Sequence, residues 1–425
     1  MRTGEEGFSL VELLITMVVF VLVIAASSQI FTGLLTQFKQ QGAISETNIE
    51  GAVGLEVLRH DLAQAGLGLP RDLDGATYRE AEAESGQTFW VDRDLNDGPP
   101  DNPARGTDLG SSAGNEHSNP PAGIRSLNGD CNDLANLNDG SKPGIHNGAT
   151  GLKMPKTCAD VLAIKSTVVG TSDAAQKWAY ITNTANTYTI YNWGTSSSDS
   201  LAPADFVTVV KPLVGSRQMV LKRIGTTFFT TFGNSTAYAP DNYSNDTYVI
   251  YDLGGSVAPR MPFNRADYYV KRPATGMPSR CAPSTGILYK ATLNQSDGIH
   301  TEMPLLDCVA DFQVDYLVDA NGDGIVDFPP IDDISNLTAA QIRAELREVR
   351  VYIVAQEGRK DTSYDFSNNG ARQAMTTLEV LGTQSQTRTF VNLQQMISPT
   401  DPTDPEYKYY RWKLYTLIVK PDNMR

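Results

Sequence analysis

Between Phe8 and Ala26 the chain carries nineteen residues, FSLVELLITMVVFVLVIAA, in which the only charge is Glu12. A helix of that length rises about 28 Å, the thickness of a bilayer's hydrocarbon. No second such run follows, so a single membrane crossing is expected. A carboxylate within a membrane helix costs about 2.5–3.5 kcal/mol on insertion scales, so it marks a functional site in want of a cationic partner. An ordinary secretory signal cut near Val23 to Ser27, or a plain single-pass anchor, explains the length but not Glu12. The leader MRTGEEG sets one Arg against Glu5 and Glu6, and the core of a normal signal is uninterrupted.

The helical pattern runs on past the membrane. Ile30, Leu34 and Phe38, then Ile49, Val53 and Val57, then Leu58 and Leu62 recur at helical spacing, and no proline interrupts Phe8 to Leu69. A transmembrane half over 8–26 and an amphipathic half over 27–69 that packs on the head are expected, ending near Gly66 with Gly68 and Pro70 as breakers. Gly33, Gly42, Gly51 and Gly54 each cost about 1 kcal/mol relative to Ala, which predicts bends. A long coiled-coil stalk is the other reading, but its heptads are not sustained.

The remaining residues, 70–425, read as an extracytoplasmic, strand-rich head. Residues 92–150 are crowded with Asn, Asp, Gly, Ser and Pro and predict a loop-rich insert. Strands are expected at 160–169, 206–214, 247–252, 309–318, 346–355 and 409–420, in antiparallel pairing, with a short helix at 338–346. Period-two alternation puts Phe312, Val314, Tyr316 and Val318 on one face, and Tyr410, Trp412, Leu414, Thr416 and Ile418 on another. The net charge is -14 and the pI about 4.8, which argues against nucleic acid as a partner.

Gly7 followed by Phe8-Ser9-Leu10-Val11-Glu12-Leu13-Leu14 resembles the type IV prepilin signature. The resemblance implies that a prepilin peptidase removes residues 1–7 on the cytoplasmic side and methylates the amine of Phe8. The fresh ammonium could then neutralise Glu12 in the apolar core of a filament and fix axial register. The segments LEVLRHDLAQAGLG at 55–68, CADVLAIKS, VADFQVDYLVDANGDGIVD, LREVRVYIVAQ and the closing YYRWKLYTLIVKPDNMR are similar, in that order, to the PilW family of minor pilins. The implied fold is α+β and pilin-like: a long N-terminal helix with an antiparallel head and long loop insertions. The implied role is structural, in initiating or capping a type IV pilus through a minor-pilin tip complex. The implied partners are other minor pilins, the major pilin, the assembly platform and a tip adhesin. The subunit would sit in the inner membrane with its head in the periplasm, and after assembly at the tip or in the filament on the cell surface. The J-type minor pseudopilin of type II secretion is the nearest competitor, and the stretches 70–150 and 170–300 map onto no family core.

Asp319, Asn321, Asp323, Ile325 and Asp327 fall at positions 1, 3, 5, 7 and 9 of a calcium loop, with Gly324 at position 6. Position 12 is Pro330, so a bidentate ligand would have to come from Asp332 or Asp333. An Asp/Asn/Gly turn between two strands explains the same residues. Asp92, Asp94, Asn96, Asp97 and Asp101 form a less regular cluster, better read as a solvated acidic loop. Four cysteines fit two staples in an oxidising compartment. Cys131 and Cys158 have the same separation as Cys281 and Cys308, and sequential pairing is the simplest of three connectivities. Catalytic signals are thin. His60, His117, His146 and His300 belong to no motif, and Gly110-Ser111-Ser112-Ala113-Gly114 matches a nucleophile elbow only formally, on polar flanks. No enzymatic role is expected. The alternative from another class is a membrane-tethered adhesive domain that uses calcium-stiffened loops.

Overall fold

A computed structural model of the chain describes residues 9–80, 118–127 and 159–366 apart from 185–186, 193–199, 214–217, 242–245, 255–256, 274, 284 and 335. It also describes 377–380, 386–389, 393 and 406–424. The first element, α1 (Leu10–Ala63), is one unbroken helix of 54 residues, about 80 Å long. Ser9 caps its start, and the chain leaves it through Gly66 and Gly68, both at positive φ. The chain then forms β1 (Ile124–Leu127), β2 (Val161–Ser166), β3 (Trp178–Thr184), β4 (Thr187–Asn192), β5 (Phe206–Pro212), β6 (Met219–Leu221) and β7 (Phe229–Thr231). The single turn α2 (Ser235–Tyr238), β8 (Thr247–Asp252), β9 (Asn264–Lys271), β10 (Gly286–Leu293) and β11 (His300–Val318) come next. After α3 (Ala339–Glu345) the chain ends with β12 (Leu346–Glu357), β13 (Thr377–Val380), β14 (Gln386–Thr389) and β15 (Arg411–Val419).

Two antiparallel sheets make up the head. The larger has seven strands in the order β1-β2-β9-β10-β11-β12-β15, and α1 lies across its β11, β12 and β15. The smaller has six strands, β4-β3-β8-β5-β6 with β7 also on β5. It is built from the 170–300 stretch that matched no family pattern. A separate ribbon pairs β13 with β14. The result is a long N-terminal helix followed by an antiparallel head, an α+β, pilin-like architecture. Residues 81–117 and 128–158, which hold most of the expected loop-rich insert, the Asp92–Asp101 cluster, Gly110–Gly114, His117 and His146, lie outside the described residues.

The main core lies between α1 and the larger sheet. Leu58 and Leu62 meet Ile164, Tyr268, Phe312, Val314, Tyr316, Val349, Val351 and Ile353, all essentially inaccessible. At about 25 cal/mol per Å2 of apolar surface, each fully buried large side chain contributes about 1.5–3 kcal/mol. The expected stripe Phe312, Val314, Tyr316 and Val318 is therefore a core face. On β15 the alternation falls differently: Tyr415, Leu417 and Val419 turn to the main core. Tyr410, Trp412 and Leu414 pack on the other side against Tyr352, Phe366 and Tyr407, and Ile418 is exposed. Both faces of YYRWKLYTLIV are apolar, so period alone could not say which faced the helix.

The helix glycines do not interrupt α1, which runs on through all four. Buried positions Ala43, Thr47, Gly51, Gly54, Leu58, Leu62 and Ala65 line one side at helical spacing, and that side is the one set on the head. A Cβ at Gly54 would fall 2.5 Å from the backbone oxygen of Leu305, and one at Gly51 would fall 3.0 Å from the Tyr415 hydroxyl. These two glycines let helix and sheet approach closely, whereas a Cβ at Gly42 would meet nothing within 4 Å. Gly54→Ala should therefore lower the stability of the full chain in detergent by about 1–3 kcal/mol through overpacking, offset in part by about 1 kcal/mol of helix propensity. Gly42→Ala should raise it. Thermal unfolding followed by circular dichroism reads both signs, and a stabilised Gly54→Ala would contradict the close approach.

Candidate functional site

The apolar start of α1 is the first part of the site. From Leu10 to Leu35 its large side chains are all exposed, and α1 is the one helix among the described residues long and apolar enough to cross a membrane. Glu12 sits in its first turn. The Glu12 side chain accepts from the Ser9 backbone N–H at 3.1 Å, while the Ser9 hydroxyl accepts from the Glu12 N–H at 3.2 Å, a reciprocal capping box. The carboxylate is thus turned back toward the residue that follows Phe8 and lies where the helix dipole favours negative charge. Gly7 and Phe8 lie outside the described residues.

Farther along, Leu58 and Leu62 of the expected amphipathic stripe face the head, but the large apolar residues before them do not. Ile49 is 63% exposed and Val53 62%, and Ile30, Leu34 and Phe38 are exposed as well. The sequence reading assigned that stripe to head packing; the structure seats small residues on the head as far as Gly54 and Leu58 and Leu62 beyond it, and leaves Ile49 and Val53 outside. The reason is steric, since only small side chains allow the close approach seen at Gly51 and Gly54.

Two ionic holds and one charged hydrogen bond join α1 to the head. Arg280 reaches Glu50 at 2.9 Å and Glu46 at 3.6 Å on the helix, and Asp307 at 2.9 Å on β11. Arg280 stands next to Cys281 and Asp307 next to Cys308, and these two cysteines form a disulfide with Cα atoms 4.9 Å apart. The staple therefore fixes the arginine that grips the helix. Cys131 and Cys158 lie outside the described residues. Near the end of α1, buried Asp61 takes Lys290 at 2.5 Å and the Tyr268 hydroxyl at 2.5 Å. Burial first, and then the Asp61 charge, push the Tyr268 hydroxyl well above its ordinary pKa, so it stays a donor. Lys413 of β15 bonds Asn48 at 2.7 Å.

The reverse face of the larger sheet carries a second set of charges, buried except for the partly exposed His300. Glu80 accepts from Lys165 at 2.6 Å and from Arg265 at 2.5 Å, Arg265 makes a two-pronged pair with Asp267 at 2.9 and 3.0 Å, and His300 meets Asp267 at 2.7 Å. Burial drives the Lys165 ammonium down to about 8 against the pull of Glu80. Burial also raises Asp267, but the Arg265 guanidinium and His300 outweigh it and hold the carboxyl below its usual range. None of these residues was singled out from sequence as a site, and neither was Arg280. The available signal for Arg280 was the charge beside each cysteine of the pair. For Lys165, Arg265 and Asp267 it was charge inside strands with apolar neighbours.

The 319–327 loop follows β11. Asp319, nearly inaccessible, accepts from the Gly322 N–H at 2.8 Å, the Gly324 N–H at 3.1 Å and Arg347 at 2.9 Å. Burial would raise its carboxyl, but Arg347 and the two amides outweigh burial and lower it. Asn321 accepts from the Asp323 N–H, Asp323 from the Ile325 N–H and Asp327 from the Ala320 N–H, each at 2.8 Å. The carboxylates are spent on amides and on Arg347 rather than gathered about a centre. Among the described residues no three His, Cys, Asp or Glu side chains are grouped to hold a metal.

Comparison with known proteins bears on both ends of the chain. Residues 2–28 match the prokaryotic N-terminal methylation motif, and residues 267–419 match the family described as Type IV Pilus-assembly protein W, PilW. The second match runs through β9 to β15 and so covers the strands on which α1 lies, while the smaller sheet falls outside it. No curated protein matches the chain. Among solved structures it is similar to a type IV-like pilin from Thermus thermophilus, at 14% identity over 38% of this chain and 80% of that one, with a TM-score of 0.16. A superposition that poor carries no weight, and the fold is read from the elements themselves. The methylation motif and the exposed apolar helix fit a membrane-anchored pilin, and the families are those of structural rather than catalytic proteins. The chain is thus similar at its start to the prokaryotic N-terminal methylation motif and, over the strands its helix packs on, to the PilW family of type IV pilus-assembly proteins.

Proposed function

We propose that this chain is a minor pilin that helps to initiate or cap a type IV pilus as part of a tip complex. The observation that carries the reading is the division of α1 into two sides, with Ala43, Thr47, Gly51, Gly54, Leu58 and Leu62 against the head and Ile30, Leu34, Phe38, Ile49 and Val53 outward, on a helix whose apolar start holds one carboxylate. A helix of that kind has a membrane to leave and a bundle of like helices to enter. A prepilin peptidase cuts between Gly7 and Phe8 and methylates the new amine, and that ammonium, on the same or a neighbouring helix, pairs with Glu12. The head waits in the periplasm until the platform draws the subunit into the filament beside other minor pilins and the major pilin, with a tip adhesin above. Intact-mass and N-terminal peptide analysis of the membrane-extracted protein tests the first step. The expected mature chain begins at a methylated Phe8. Retained Met1, or a start near Ser27, would remove the amine on which the assembly depends.

The reading of Asp319, Asn321, Asp323, Ile325 and Asp327 as a calcium loop rests on their spacing. To load the ion, Asp319 must exchange Arg347 for calcium. Calcium should then raise the melting temperature of the full chain in detergent, by about 3 kcal/mol of stabilisation at a hundredfold excess over Kd, and Asp319→Ala should abolish the rise. A wild-type melting point indifferent to calcium and to chelator would refute the reading.

A further inference from the structure

At the end of the head where α1 finishes, a cavity of about 680 Å3 opens between the segment leaving the helix and α3. Arg71, Gln218, Gly324, Arg343 and Arg347 line it, with Ala340 and Ala344 completing the wall. That volume lies within the range of about 300–1,000 Å3 usual for small-ligand sites. Three arginines thus line one space, and no acidic side chain is among its described lining residues, in a chain whose net charge is -14. Two of them are placed by the fold: Arg343 donates to the Pro121 carbonyl at 3.1 Å, and Arg347 donates to the Ala344 carbonyl at 2.6 Å and to Asp319 at 2.9 Å. Burial, and then the charge of Arg71, lower Arg343 to about 10. The charge of Arg71 bears on Arg343 across this half-enclosed space, and an anion entering it is attracted to both. A guanidinium offers a planar fork of donors that matches carboxylate and phosphate oxygens two at a time. Gln218 adds an uncharged amide for a hydroxyl or carbonyl.

We propose that this cavity is an oxyanion-binding site that takes a small ligand with two or more acidic groups, of the polycarboxylate or phosphate kind. It lies apart from the apolar start of α1 and from the helix-to-sheet holds, so it adds a ligand to the pilin reading without depending on it. Gly324 belongs to the 319–327 loop, so chelator must be present in the test to keep calcium out of the result.

The experiment is calorimetric titration of citrate, and separately of inorganic phosphate, into the full chain in detergent with EDTA, for wild type and for Arg71→Gln and Arg343→Gln. Saturable binding of either anion is expected, about tenfold or more weaker in Arg71→Gln, with circular dichroism in the same buffer checking that the variant is folded. Arg343→Gln, which also gives up the Pro121 carbonyl, should lose binding as well. Binding of citrate alone identifies carboxylates as the preferred source, and binding of phosphate alone identifies phosphate. The absence of binding by both, equal affinity in wild type and Arg71→Gln, or competition by chloride at equal concentration would overturn the proposal.

Discussion

A Glu12→Leu chain should insert into the membrane at least as well as wild type, and its head should fold unchanged, yet it should be all but missing from sheared filaments. Insertion becomes easier because the intramembrane carboxylate, costing about 2.5–3.5 kcal/mol, is gone. Folding is spared because the residues around Glu12 are exposed and touch nothing in the head. Only the capping bonds with Ser9 are lost, worth about 1 kcal/mol at the end of a long helix. Assembly fails because the new ammonium of Phe8 would then enter an apolar bundle without its counter-charge. Leaving one member of a buried pair alone costs about 3–5 kcal/mol, or about a hundredfold or more in incorporation. Immunoblots of the membrane and sheared fractions give the ratio directly. Normal incorporation of Glu12→Leu would mean that the carboxylate plays no part in register.

The second large effect should come from Glu80. Glu80→Gln keeps the shape but removes the charge that Lys165 and Arg265 share in a place closed to water. Lys165 and Arg265 then lose a counter-charge they share, and the fold should lose about 3–5 kcal/mol. For a head of this size that is a fall in melting temperature on the order of 10 °C. The control is Glu56→Gln, which breaks the solvent-exposed pair with Arg59 and should change nothing measurable. If the two variants melted together, the buried set would not hold the reverse face of the sheet.

Much of the architecture was legible in the sequence because burial on one side leaves a period. The run of apolar residues announced α1, and alternating β-branched and aromatic residues announced β2, β5, β8, β12, β15 and the second half of β11 within a few residues. The strands that were missed had lost that signal. In β9 the sequence NRADYYVK is nearly all buried, but Arg265 and Asp267 pair with each other and with Glu80, so a core strand has the composition of a loop. Lys290 does the same to β10, with its partner Asp61 far away on the helix. The helix glycines misled for a related reason. Their cost in helix propensity is local and visible, whereas the Leu305 backbone and Tyr415 ring that require them come from distant parts of the chain. Of the candidate site, Glu12 and the cysteines could be found by motif. Arg280 and the cavity arginines could not, since each acquires its role from neighbours that only the fold supplies.

The attachments of α1 also fix how a subunit of this kind bears force. Gln40 bonds the Arg359 carbonyl, Arg280 holds Glu46 and Glu50, Gly51 and Gly54 sit on Tyr415 and Leu305, and Asp61 grips Lys290. They are strung along about six turns of helix rather than bunched at one point. A pull along the helix axis is shared among all of them at once as shear, while a sideways peel meets them one at a time. Stretching such a fibre should leave the head seated under tension that would strip it off if applied at a right angle.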